Sequence, residues 1–355
     1  MAETRWASTI GETGRVRVVI TSPLEEDVVR AVADVDPRLD VVYEADLLPA
    51  PRYPADHALP SVVTDEARAR WEGLLDGAEV LFDFGPLELA PQLASRPRLR
   101  WIQATSAGVG QFAARVGLTE SAVTITTASG VHARPLAEFV LMAMLMFGKG
   151  AFRLAADQRA HRWERYAGQE VAGTVVGVVG VGRIGREVAR VARALDARTV
   201  GVVRAPDGRT AAEFNLDALL PVERLDDLLP DVDYLVLCAP HTTETERLLT
   251  AERLALLKPS AVLINIARGA VVDEEALVAA LADGRLRGAA LDVFAREPLP
   301  PESPLWDLPN VLISPHSAST ADNENRKIAD LFRENLRRYL DGRPLLNVLD
   351  KRLLY

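Results

Sequence analysis

Apolar positions along this chain follow two alternating rhythms. Short β-branched runs, RVRVVITSP from Arg15, then DVVYEAD, AEVLFDFG, LRWIQATSAG and AVTITTASG, read as strands bounded by turn residues. Between them, LEEDVVRAVADV and ARARWEGLLDG place apolar residues at helical spacing. Strand and helix alternate over roughly the first 125 residues, which predicts an α/β lobe with a parallel sheet.

From His132 to Lys149 the segment HARPLAEFVLMAMLMFGK is apolar nearly all round, predicting a helix buried on more than one side. The polar stretch AADQRAHRWERYAG after it is expected to wrap the surface. A second lobe starts near Val171, with six strand candidates: TVVGVVG, TVGVV, YLVLCAP, AVLINIARG, GAALDVF and NVLISPH. Between Ser319 and Gly342, a stripe of Ile328, Leu331, Phe332, Leu336, Tyr339 and Leu340 predicts a helix that closes back on the first lobe. The expected division is therefore one α/β domain from 1–125 with 320–355 and a second from 126–319, both doubly wound.

The first strand of the second lobe runs directly into Gly180-x-Gly182-x-x-Gly185, and an amphipathic helix follows. Such glycines permit a tight turn, close approach of a pyrophosphate and close helix–strand packing, so the anion meets the helix start. Arg183 and Ile184 join the glycines as expected cofactor contacts. If NAD is bound, the next strand should end in Asp or Glu to hold the ribose 2′-hydroxyl. Here Val203 and Arg204 stand in its place. A guanidinium suits a 2′-phosphate, with Arg209 as a helper, so NADP is the expected cofactor and NAD the alternative. Arg204 as an ordinary solvated strand-end residue is the competing explanation.

Composition narrows the field. A formal charge of -9 offers no cationic field for nucleic acid, which is excluded as an expected partner. The longest apolar runs, Phe139 to Gly148 and Val175 to Gly182, are too short to span a membrane. Cys238 is the single cysteine, and His57, His132, His161, His241 and His316 form no pair at ligand spacing, so no metal site is expected. MAETRWASTIGETG lacks an apolar h-region, so no export signal is read and the cytoplasm is the expected compartment.

Three strand ends of the second lobe carry polar residues that a bare fold does not require: NIARGAVVDEEAL, ALDVFAREPLP and VLISPHSAST. Ligands of open α/β sheets bind beyond the carboxyl ends of strands, so Arg268, Glu297 and His316 are the candidate catalytic set. An arginine grips a carboxylate as a fork, and a carboxylate bonded to an imidazole keeps the ring charged.

The ordered set GVGRIG, N-x-ARG-x-x-VDE from Asn265 to Glu274, ALDVF with an EP dipeptide, and SPH resembles the D-isomer-specific 2-hydroxyacid dehydrogenase family over nearly the whole chain. The resemblance implies a Rossmann-type cofactor domain and a flavodoxin-like substrate domain. It makes Arg268 the substrate arginine, Glu297 the carboxylate and His316 the proton-transfer histidine. It also implies a carboxylate-binding loop at Ser106, Ala107 and Gly108, and cofactor contacts at Ala239, Pro240, Ile266, Ala267 and Asp292. A homodimer formed through the 132–149 helix region follows from the same likeness. The missing acid after Val203 resembles the glyoxylate/hydroxypyruvate reductase branch, which implies reduction of a small 2-keto acid to the D-2-hydroxy acid. Two alternatives stand beside it. One is formate or phosphite oxidation, whose formate-oxidising members carry Gln where this chain has Glu297; the other is a nucleotide-sensing, corepressor-like binding protein.

Overall fold

Each early β-branched run forms a strand in the computed structural model, which describes residues 14–57 and 63–355. Val16–Ile20 (β1), Glu26–Ala33 (α1), Leu39–Val42 (β2), Asp65–Gly77 (α2), Val80–Phe82 (β3), Trp101–Gln103 (β4), Gly110–Arg115 (α3) and Thr124–Thr126 (β5) follow in turn. All neighbours are parallel, in the order β2-β1-β3-β4-β5. This is the flavodoxin-like order, in which the winding reverses beside β1.

Two helices, Ala133–Lys149 (α4) and Ala151–Arg159 (α5), lead into Val175–Val179 (β6), Arg183–Arg193 (α6), Arg198–Val203 (β7) and Ala218–Pro221 (β8). Then come Leu225–Leu228 (α7), Tyr234–Leu237 (β9), Ala251–Leu256 (α8), Val262–Asn265 (β10), Glu274–Ala282 (α9), Gly288–Leu291 (β11) and Val311–Ile313 (β12), before Glu324–Leu340 (α10) ends the helices. The second sheet is ordered β12-β11-β10-β9-β6-β7-β8. From β8 it reads 3-2-1-4-5-6-7 in order of appearance, the Rossmann arrangement with one added edge strand.

The chain divides into two compact units, one built from its first part up to His132 together with Thr320–Tyr355, the other Ala133–Ser319. In the second unit, successive strand residues point to opposite faces. Leu235, Leu237 and Leu263 pack with Leu254, Leu277 and Leu281 on one side. Tyr234, Val236, Val262 and Ile264 pack with Val140, Met144 and Val188 on the other. Two-sided burial explains why these strands read as continuous apolar runs, each buried Leu or Val contributing roughly 1.5–3 kcal/mol. In the first unit, α10 lays Ile328, Phe332, Leu336 and Tyr339 on the sheet, with the Phe332 ring 5.2 Å from Phe82 and 5.3 Å from Trp101.

Two expectations need correction. The second sheet has seven strands rather than six, because Ala218–Pro221 pairs with β7. It is a half-buried edge strand ending in proline, so its sequence carries neither the full apolar run nor a clean alternation. The stretch AADQRAHRWERYAG is also not wholly irregular, since its first residues belong to α5. No single helix among the described residues is long and apolar enough to cross a membrane.

Candidate active site

Strands β10, β11 and β12 are neighbours, and each releases one candidate residue just beyond its carboxyl end: Arg268, Glu297 and His316. The loops are tied together by backbone contact. A Cβ on Gly269 would lie 1.9 Å from the Phe294 carbonyl carbon, so the chain after Arg268 seats directly on the chain before Glu297. Asn265 steadies the first loop, its Oδ1 accepting from the Ala267 amide at 3.0 Å and its Nδ2 donating to the Arg268 carbonyl at 3.2 Å.

Asp292, two percent exposed, organises the histidine loop. Its Oδ1 accepts from the Ser314 hydroxyl at 2.6 Å and from the Ser317 and Ala318 amides at 2.9 Å each. Its carbonyl accepts the His316 amide at 3.0 Å. These bonds hold His316 in a left-handed conformation, φ 54°, which a non-glycine residue adopts at a cost of roughly 1 kcal/mol or more. The imidazole is thereby aimed at Glu297: Nδ1–H donates to Oε2 at 2.7 Å, while the other oxygen, Oε1, accepts the Phe294 amide at 3.0 Å.

The electrostatics follow from these contacts. The bond to Glu297 raises the His316 pKa above its ordinary 6.5; burial opposes the rise, and the Glu297 charge adds to it. Burial pushes the Glu297 carboxyl up, but the His316 bond, the Phe294 amide and the charges of His316 and Arg268 outweigh it and hold the group below its usual value. Burial lowers the Arg268 pKa, against the pull of Glu297 and Asp292, but an arginine so placed stays charged. Burial also raises the Asp292 carboxyl despite its donors. The result is a cation, an imidazole biased toward its protonated form and a carboxylate behind it.

At the same carboxyl ends of the sheet, beyond the intervening β9, lies the glycine turn after β6. Gly180 has φ 93°, and a Cβ there would meet the Ala239 backbone at 2.6 Å. Gly185 presses on the Gly180 carbonyl, where a Cβ would fall 2.2 Å from the oxygen. Gly182 differs: its missing Cβ looks onto open space, and it starts α6 with no side chain capping the helix. An uncapped helix start behind a glycine that leaves room for close approach fits the pyrophosphate of a dinucleotide.

Residues 141–318 match the family described as D-isomer specific 2-hydroxyacid dehydrogenase, NAD binding domain. The chain belongs to the D-isomer-specific 2-hydroxyacid dehydrogenases. As a member it is an NAD(P)-dependent oxidoreductase. A glyoxylate/hydroxypyruvate reductase B from Pectobacterium carotovorum subsp. carotovorum (strain PC1) is 34% identical over 331 residues, covering 90% of this chain and 96% of that protein. A D-isomer specific 2-hydroxyacid dehydrogenase from Xanthobacter autotrophicus Py2, solved with NADPH and MES, superposes with a TM-score of 0.77 at 32% identity, covering 96% of this chain and 100% of that one. An NADPH-dependent glyoxylate/hydroxypyruvate reductase from Sinorhizobium meliloti, solved with NADP and sulfate, gives a TM-score of 0.76 at 27% identity, covering 96% and 100%.

The other expected site residues of this dehydrogenase fall on several loops. Ala239 and Pro240 follow β9, with Ala239 buried on the glycine turn and Pro240 exposed. Ile266 and Ala267 are buried between β10 and Arg268. Arg183 is exposed at the start of α6, and Ile184 half-buried behind it. Arg204, just past β7, is largely exposed and lies 3.9 Å from Glu244. Arg209 bonds the Pro206 and Ala205 carbonyls at 3.0 Å each and sits over the Phe214 ring, so it braces its own loop. Ala107 and Gly108 belong to the other unit, in the loop between β4 and α3. Sequence reasoning named Asp292 but missed its part in holding the histidine loop; it placed Asn265 in a motif without a role and missed Glu244 altogether. The Asn of NIARG and the Ser of SPH were the available signals.

Proposed function

We propose that the protein reduces a small 2-keto acid of the glyoxylate/hydroxypyruvate type to the D-2-hydroxy acid, with NADPH preferred over NADH. The observation that carries this reading is the His316–Glu297 bond of 2.7 Å, delivered beside Arg268 by neighbouring strands. A nicotinamide dinucleotide seated at Gly180, Gly182, Arg183, Ile184 and Gly185 supplies the hydride. Ala239, Pro240, Ile266, Ala267 and Asp292 are assigned to its nicotinamide end, and Arg204 to the 2′-phosphate. Arg268 grips the substrate carboxylate as a fork and draws negative charge onto the carbonyl oxygen. His316, kept protonated by Glu297, gives that oxygen its proton, and in the reverse direction the neutral ring takes it back. Ala107 and Gly108, in the five-stranded unit, are assigned as further substrate-binding residues. The seven-stranded unit is thus assigned the nucleotide together with Arg268 and His316, and the five-stranded unit the further substrate contacts.

The naming of the Pectobacterium relative and the NADPH and NADP in the two solved neighbours support this choice. We also infer a homodimer formed through the α4 region. Met142, Leu145 and Leu154 are exposed there, and Trp163 just beyond is 95% exposed, an apolar surface suited to a second copy. A cytoplasmic location is part of the same reading, and a lone cysteine agrees with a reducing compartment. The test is NADPH and NADH consumption against a panel of 2-keto acids, with wild type and His316→Gln. His316→Gln should lose at least about 100-fold in turnover while nucleotide binding persists. Unchanged turnover would remove His316 from the chemistry, and nucleotide binding without consumption of any keto acid would favour a sensor.

A further inference from the structure

We propose that Glu244 sets the discrimination between NADPH and NADH by holding Arg204 from across the glycine turn. The proposal rests on the reading that Arg204 receives the 2′-phosphate. Strands β7 and β9 flank β6 on opposite sides, so about 10 Å, two strand spacings, separates them, and the glycine turn leaves β6 between them. Yet Arg204 after β7 and Glu244 after β9 come within 3.9 Å. The loop after β9 therefore reaches past the end of β6 toward the end of β7, where the acid was missing.

This reach is built into the loop. Ala239 is pinned on Gly180 at one end, and the Arg247 amide donates to the Ala270 carbonyl at 2.7 Å at the other. Between them, the Thr245 hydroxyl donates to the Pro240 carbonyl at 2.7 Å and accepts the Thr242 amide at 2.8 Å. Glu244 sits inside that turn, exposed, with its carboxylate toward Arg204. The other guanidinium of the β7 loop, Arg209, is occupied by its own loop's carbonyls.

The consequence is a competition. A ribose 2′-hydroxyl leaves the Arg204–Glu244 pair intact and gains a carboxylate acceptor, the role that an acid at the end of β7 plays in NAD-dependent relatives of this fold. A 2′-phosphate, carrying nearly two negative charges, has to displace Glu244 from the guanidinium and then remain near a like charge. An exposed pair is worth at most about fivefold. Repulsion between phosphate and carboxylate adds to that at low salt, so removing the Glu244 charge should tighten NADPH by about three- to tenfold.

The experiment is fluorescence titration of the full-length protein with NADPH and with NADH, for wild type, E244Q, R204Q and the double variant, at about 0.01 M and about 1 M salt, where the Debye length falls from roughly 30 to 3 Å. E244Q should lower the NADPH Kd three- to tenfold at low salt, leave the NADH Kd unchanged or slightly weaker, and lose most of its effect at high salt. In the R204Q background the same substitution should gain less. Equal shifts for both nucleotides, no shift for either, or a full gain retained without Arg204 would overturn the role of Glu244. If R204Q fails to weaken NADPH more than NADH, the assignment of Arg204 itself is wrong, whatever E244Q does.

Discussion

Replacing Glu297 with Gln keeps the shape of the group behind His316 and removes its charge. An amide oxygen still accepts from Nδ1–H, so the ring keeps its orientation; the amide nitrogen forfeits the bond from the Phe294 N–H, and the ring loses its preference for imidazolium. A charge-assisted hydrogen bond is worth roughly 1.5–3 kcal/mol. The two side chains here are 44% and 35% exposed, so solvent screening reduces the expected loss to roughly 1 kcal/mol, about fivefold in the population of charged ring. Because the bond raises the His316 pKa, its contribution to stability and to proton donation is fully present below the ordinary 6.5 and is lost as pH rises through the raised value. E297Q should therefore reduce a 2-keto acid nearly as well as wild type at about pH 5.5 and roughly fivefold more slowly on the alkaline side, with the descending limb displaced to lower pH. E297A, which also frees the ring to turn, should fall further at every pH. Steady-state rates across this range, following NADPH absorbance, make the comparison. Superimposable wild-type and E297Q profiles would show that the charge of Glu297 does not govern the proton donor.

Three further outcomes follow from the same geometry. Arg268→Lys keeps the cation but loses the fork, so kcat/KM for the keto acid should drop roughly 10- to 100-fold while nucleotide affinity, read by titration, stays put. Asp292→Ala strips the acceptor from the Ser317 and Ala318 amides, and thermal unfolding should show a loss of roughly 2 kcal/mol or more, most of it recovered by Asp292→Asn, which retains an Oδ1 acceptor. Cys238 is half-buried, and desolvation pushes its thiol up to about 12, so at about pH 8 the native protein should react with a disulfide reagent more slowly than the unfolded chain; rapid native labelling would contradict that raised pKa.

The sequence spoke clearly wherever one residue's neighbours are its neighbours in space. The runs that became β9, β10 and β11 are buried on both faces, and that burial is what a continuous apolar run records. Arg268, Glu297 and His316 drew notice as charged or ring-bearing residues in the loops after such runs, and the structure brings His316 and Glu297 into a hydrogen bond. β8 was missed because a half-buried edge strand carries half the signal. Asp292 was named for a contact with cofactor, but its three donors come from residues 22 to 26 positions away, a pairing that only the parallel registration of β11 with β12 creates. Arg209 looked like a helper for Arg204, and nothing in its spacing shows that its donors turn back onto Ala205 and Pro206. Glu244 is forty residues beyond Arg204 in the chain, and only the sheet order brings the two loops together.

The seat of Gly269 on the Phe294 carbonyl has an evolutionary corollary. Arg268 and Glu297 cannot drift separately, since any sideways slip of one loop is handed to the other with no side chain between them to absorb it. Engineering of this scaffold is thus easier in segments outside this welded corner, and inserting even a methyl group at position 269 should displace Arg268 and Glu297 together.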